Sequence, residues 1–139
     1  MMTRNIPTVL LASALLLAVA GCSDRGTEPI TGGSTDTTVS FAADLQPIFN
    51  QTCLTCHGTF VSGGLDLTPA VAWANLVGVA ATGNPSLQRV IPGNPEQSVL
   101  YLKIIGDGSV GNRMPEGGVL DVDTIEQFRM WIVQGAENN

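Results

Sequence analysis

Residues 53–57 read Cys-Leu-Thr-Cys-His. Two thiols three positions apart, with an imidazole directly behind them, constrain this chain more than any other feature. Each thiol can add to one vinyl group of a single porphyrin, and the histidine then sits where it can bind the iron. A chain built this way must fold around a broad, flat, apolar disc. The motif therefore predicts one covalently attached haem c, held by Cys53 and Cys56, with His57 as an iron ligand.

Three other readings compete for the same residues. Zinc usually takes four Cys or His ligands. His57 is the sole histidine, and the only other cysteine, Cys22, lies far upstream. A thioredoxin-like dithiol needs a strand–helix setting, and no buried-strand run precedes Gln51-Thr52. A structural disulfide suits an exported protein. None of the three requires the one histidine to stand next to the second cysteine.

The amino terminus points to export. Arg4 supplies a positive start, and Ile6 to Ala20 is an apolar run ending in small residues, so residues 1–21 read as a signal peptide. Val19-Ala20-Gly21-Cys22 resembles a bacterial lipobox. That resemblance implies cleavage before Cys22 and lipidation of its sulfur and amine. More than one lipid chain anchors a protein firmly, so the membrane is an expected partner. By the enterobacterial sorting rule, Ser23 permits transfer to an outer membrane. The expected location is the outer face of the inner membrane or the outer membrane, facing the periplasm. Residues 22–38 are rich in Ser, Thr, Gly and Asp and read as a flexible tether. Its r.m.s. span would be about 20–25 Å.

Residues 39–139 form the predicted domain. They carry four basic residues (Arg89, Lys103, Arg113, Arg129) against nine acidic ones. An acidic surface argues against nucleic acid and favours redox protein partners that are basic or weakly charged where they meet it. A domain of this size has a thin core, which a porphyrin would thicken.

Hydrophobic spacing predicts an all-α fold, with about four short helices and long loops. Ser40 caps a first helix with Phe41, Leu45, Ile48 and Phe49 on one face, and Pro47 predicts a kink or restart. Thr68-Pro69 opens a short helix through Trp73 and Leu76 that stops near Gly78. Thr82-Gly83-Asn84-Pro85 marks a turn. Asn94-Pro95-Glu96-Gln97 starts a helix that continues through residues 98–104, apolar nearly all round and so buried, and ends at Gly106-Asp107-Gly108. A last helix from Asp121 or Asp123 aligns Ile125, Phe128, Trp131 and Ile132 and closes at Gly135. No segment alternates convincingly as a strand.

With one histidine, two-histidine ligation within the chain is impossible, so a methionine is the next choice for the sixth position. Met130 falls on the wrong side of the last helix. Met114 lies in a loop, where Pro115 holds it extended. Lys103, the only lysine in the domain, is the outside candidate. Cys53-x-x-Cys56-His57, a late Arg113-Met114-Pro115 and a terminal Trp131-Ile132 helix together resemble class I cytochrome c. Residues 92–101 with Arg113-Met114-Pro115-x-Gly117-Gly118 are similar to single-haem domains common in planctomycetes and related bacteria.

The resemblance implies His57 as proximal ligand and Met114 as distal ligand. It implies that the first and last helices cross at the haem edge, with Phe49 and Trp131 or Phe128 at the contact. It implies electron transfer and no catalytic activity of the chain's own. The lysine ring of mitochondrial-type cytochromes has no counterpart here. Alternative readings are a haem-based sensing lipoprotein with a labile sixth position, a subunit of a larger redox complex, and a haem-free dithiol lipoprotein.

Overall fold

The computed structural model describes residues 37–139. The expectations placed on residues 1–36, Cys22 among them, lie outside the described residues.

A single helical run over residues 41–57 (α1) opens the domain. Ser40 is extended and its Oγ accepts from the Ala43 N–H at 3.1 Å, the predicted cap. At Pro47 the helical run changes its hydrogen-bond pattern but continues. The proline's missing N–H and its ring are accommodated by widening the turns on either side. The Gln46 N–H reaches back to Phe41 O, and the Leu54 N–H reaches Phe49 O. The helix thus runs through the cysteine motif and places it on its last turn.

Helix α2 spans Ala72–Leu76, α3 spans Val99–Ile105 and α4 spans Val122–Val133. The predicted start at Thr68 is real as a turn, since Thr68 O accepts from the Val71 and Ala72 N–H groups. The predicted helix from Asn94 is divided. Pro95–Gln97 make one tight turn, Ser98 is extended, and α3 begins at Val99. Ser98 is fully buried, and its Oγ accepts from the Ile91 N–H at 2.9 Å and donates to Asn94 O at 2.8 Å. Those local bonds compete with helical ones and break the run. Only Val99 and Ile104 of α3 are buried outright; Leu100, Tyr101, Leu102 and Ile105 are half-buried.

The domain is not purely helical. Ala80–Ala81 (β1) and Asn84–Gln88 (β2) pair antiparallel around Thr82-Gly83, with Ala80 opposite Gln88 and Ala81 opposite Asn84. The turn was legible and the strands were not. Asn84, Pro85, Ser86 and Gln88 are all exposed, so no alternating pattern marks β2. The hairpin is held from outside: the Gly78 N–H donates to Val90 O, Arg89 N–H to Val79 O, and Leu100 N–H to Arg89 O.

Aromatic side chains join the first and last helices. Phe41 and Trp131 have ring centroids 5.3 Å apart, and Phe49 and Phe128 lie 5.4 Å apart. Leu45, Leu67, Leu76, Val90 and Ile132 complete the centre. Asp121 caps α4 through Thr124 N–H at 2.9 Å. The segment after α4 folds back, so that Trp131 Nε1 donates to Glu137 O and Trp73 Nε1 to Ala136 O. Asn139 O then accepts from the Ala42 N–H and Ser40 Oγ at the start of α1. No described helix is long and apolar enough to cross a membrane.

Candidate functional site

The last turn of α1 presents Cys53, Cys56 and His57. Positions three and four apart on a helix are neighbours on one face, so Cys53 lies beside both of the others. Cys53 is half-buried and Cys56 exposed, and the two thiols are not bonded to each other. Gly58 ends the helix, and a Cβ there would stand 2.7 Å from Leu54 O, so only glycine lets the chain turn away this tightly.

His57 is held from two directions. Its carbonyl accepts from the Leu67 N–H at 2.7 Å, and its Nδ1 lies 3.3 Å from Leu65 O. A carbonyl can only accept, so Nδ1 is the donor in this contact, and in the neutral ring that leaves the lone pair on Nε2. This is the arrangement in which an imidazole binds a metal: one nitrogen donates to a backbone carbonyl and the other is free to ligate. Among the described residues, no three His, Cys, Asp or Glu side chains gather into a site of their own.

Burial, reinforced by the charge Cys56 would carry, pushes the Cys53 thiol up to about 11. Reactive dithiols need the opposite shift, towards thiolate.

Met114 is half-buried, and its N–H donates to Lys103 O at 3.0 Å. Lys103 Nζ donates to Asn112 O at 3.2 Å, so this side chain braces the methionine loop. Arg113 reaches back to Ile105 O at the end of α3. Its guanidinium lies across Gly106, whose φ of +77° favours glycine. The loop is therefore fastened to α3 at three points. No hydrogen bond joins Met114 to residues 53–57 among those described, so the fold ties the two predicted ligands to different helices. Met130 is half-buried, with its sulfur 3.5 Å from Arg129 Nη2, away from the core face as expected.

Cys53, Leu54, Leu65, Trp73, Leu100, Tyr101 and Ile105 are partly buried and pack on the core. The groups a covalently held haem would use are two unpaired thiols for attachment, and an imidazole nitrogen and a thioether as candidate ligands. An open depression lined by Arg113, Pro115, Glu116 and Val119 borders the methionine loop and does not include the thiols.

Comparison with protein-family models, with curated proteins and with solved structures found no match.

Sequence reasoning missed four participants. Leu65 acts through its carbonyl, which has no sequence signature. Arg89, Asn75 and Gln46 hold the segment that carries Leu65. Of these only Arg89 left a trace, as one of four cations in an acidic domain.

Proposed function

We propose that this protein is a monohaem c-type cytochrome that passes single electrons between redox proteins outside the cytoplasm, tethered to a membrane through Cys22. The observation that carries this reading is the His57 ring. It follows Cys56 directly, and the Leu65 carbonyl engages Nδ1 and so leaves Nε2 available.

A bound haem c would supply a one-electron ferrous–ferric couple. The chain's own residues attach, orient and shield. Cys53 and Cys56 would carry the two thioether links, at neighbouring positions of one helical face. His57 would offer Nε2 with its ring angle set by the backbone. Met114 would offer a thioether, a weak donor that favours the reduced state and so raises the potential. Leu65, half-buried and bonded to His57 through its carbonyl, would help keep water from the ring. The anchoring of the Met114 loop to α3 limits its movement between redox states, which keeps reorganisation small. The acidic surface favours a basic or weakly charged partner.

The test is to express the full chain in a host that exports it and attaches haem to such motifs, then to measure intact mass and visible spectra. Added mass of one haem that survives denaturation, with reversible reduction, supports the proposal. A colourless product with both thiols open to alkylation overturns it. Rapid carbon monoxide binding by the reduced protein would instead select the sensing alternative.

A further inference from the structure

Residues 64–67 form a strap that runs beside the end of α1, and each of its four successive carbonyls is held by a different side chain. Gly64 O accepts from Arg89 Nη2 at 2.9 Å. Leu65 O is the partner of His57 Nδ1. Asp66 O accepts from Asn75 Nδ2 at 2.9 Å. Leu67 O accepts from Gln46 Nε2 at 2.9 Å. The partners alternate. Gly64 and Asp66 are held by Arg89 and Asn75, which are themselves joined through Arg89 Nη1 and Asn75 O at 2.8 Å. Leu65 and Leu67 are held by residues of α1. Alternation of this kind follows from extended backbone, and Leu65 has φ −114° and ψ 112°.

Loop carbonyls ordinarily bond to water, and tying four in a row with side chains from distant parts of the chain costs conformational entropy. The mounting of Arg89 is equally firm. Its N–H bonds to Val79 O and its carbonyl to the Leu100 N–H, so it is fixed between the hairpin and α3. The only ion pair among the described residues is Arg129–Glu126. Arg89 spends its charge on neutral oxygens, Thr82 Oγ1 among them at 3.1 Å. Charged donors make the stronger hydrogen bonds, and here that strength goes to the peptide next to Leu65.

We propose that this strap is a positioning element for His57, and that Arg89, Asn75 and Gln46 act through it on the imidazole. They hold the Leu65 carbonyl where it accepts from the Nδ1 side of the ring, so that Nε2 is the nitrogen left to ligate and the imidazole is the stronger electron donor. The inference rests on His57 being an iron ligand. A stronger donor favours ferric iron, so the strap lowers the potential that a Met114 ligand would raise. The two ligands are then tuned by separate parts of the fold.

The test uses the full, matured chain with Arg89→Leu, Asn75→Leu and Thr82→Val. Two quantities are read: the electron-exchange equilibrium against a fixed mediator, and the exchange rate of the His57 Nδ1 proton by NMR. Arg89→Leu and Asn75→Leu should each shift the equilibrium at least threefold towards the reduced form and speed proton exchange at least tenfold. Thr82→Val removes only the outlying contact of Arg89 and should change neither. An unshifted equilibrium in both leucine variants, or an equal shift in Thr82→Val, overturns the proposal.

If the chain carries no haem, the function proposed above fails, and the strap is judged on the colourless protein. Nitrogen NMR should then show the Nδ1–H tautomer of His57 prevailing in wild type and lost in Arg89→Leu. Prevalence of the Nε2–H tautomer in wild type would overturn the strap as well.

Discussion

Trp131 is the residue on which the contact between the first and last helices most depends. It is fully buried, its ring packs on Phe41, and its Nε1 donates to Glu137 O at 2.9 Å. Trp131→Ala removes the largest wholly buried side chain and leaves a cavity between rigid helices that cannot close over it. Such truncations cost about 3–5 kcal/mol. The freed Glu137 carbonyl adds little, because Glu137 is exposed and water can replace the donor. A domain of this kind has about 5–15 kcal/mol of stability in all. A loss of about 4 kcal/mol, at a urea dependence of about 1–3 kcal/mol per molar, lowers the unfolding midpoint by about 2 M. The assay is urea unfolding of the matured protein followed by far-ultraviolet circular dichroism. Trp131→Phe keeps a ring on Phe41 and gives up the N–H bond and some volume, so it should lose only about 1–2 kcal/mol. A loss below about 1.5 kcal/mol for Trp131→Ala, or equal losses for both variants, would refute the packing argument.

Three further outcomes follow from particular contacts. In a chain that carries haem as proposed, Met114→Ala should leave it attached while lowering the potential and opening the iron to carbon monoxide; a wild-type potential would show that Met114 is not the ligand. Gly106→Ala forces a side chain into left-handed backbone at about 1–2 kcal/mol and displaces Arg113, so thermal stability should fall and the spectral signature of thioether ligation should weaken together. The Asp66, Asp107 and Asp121 carboxyls are held below their usual range by hydrogen bonds from Thr68, Ser109 and Thr124. In acid the unfolded chain therefore binds more protons than the folded one. The stability these groups add is complete above the ordinary carboxylate range and is lost as pH falls through their depressed values. Asp121→Asn keeps a capping oxygen and removes one titrating group, so its stability should fall less steeply on acidification; an unchanged slope would show that the cap does not report on Asp121 ionisation.

The aromatic stripe of α4, the cap at Ser40 and the glycine stop at Gly106 were legible because each depends on residues within one or two turns. Ile125, Phe128, Trp131 and Ile132 recur at helical spacing, and the structure buries the last three outright. The hairpin was not legible. Its strands are short and exposed and owe their pairing to Arg89 and Leu100, which lie beyond them in sequence. Ser98 broke a helix that propensity favoured, because its hydroxyl had better partners at Ile91 and Asn94.

By itself the sequence determined which reactive groups the chain carries, two thiols, one imidazole and the thioether of Met114, since these are matters of residue type and spacing. Tertiary structure decided how the imidazole is presented. The Leu65 carbonyl that engages Nδ1 is backbone, identical at every position of the chain. It becomes specific only when Arg89, Asn75 and Gln46, brought from 25, 9 and 21 residues away from their acceptors, hold that one segment against α1.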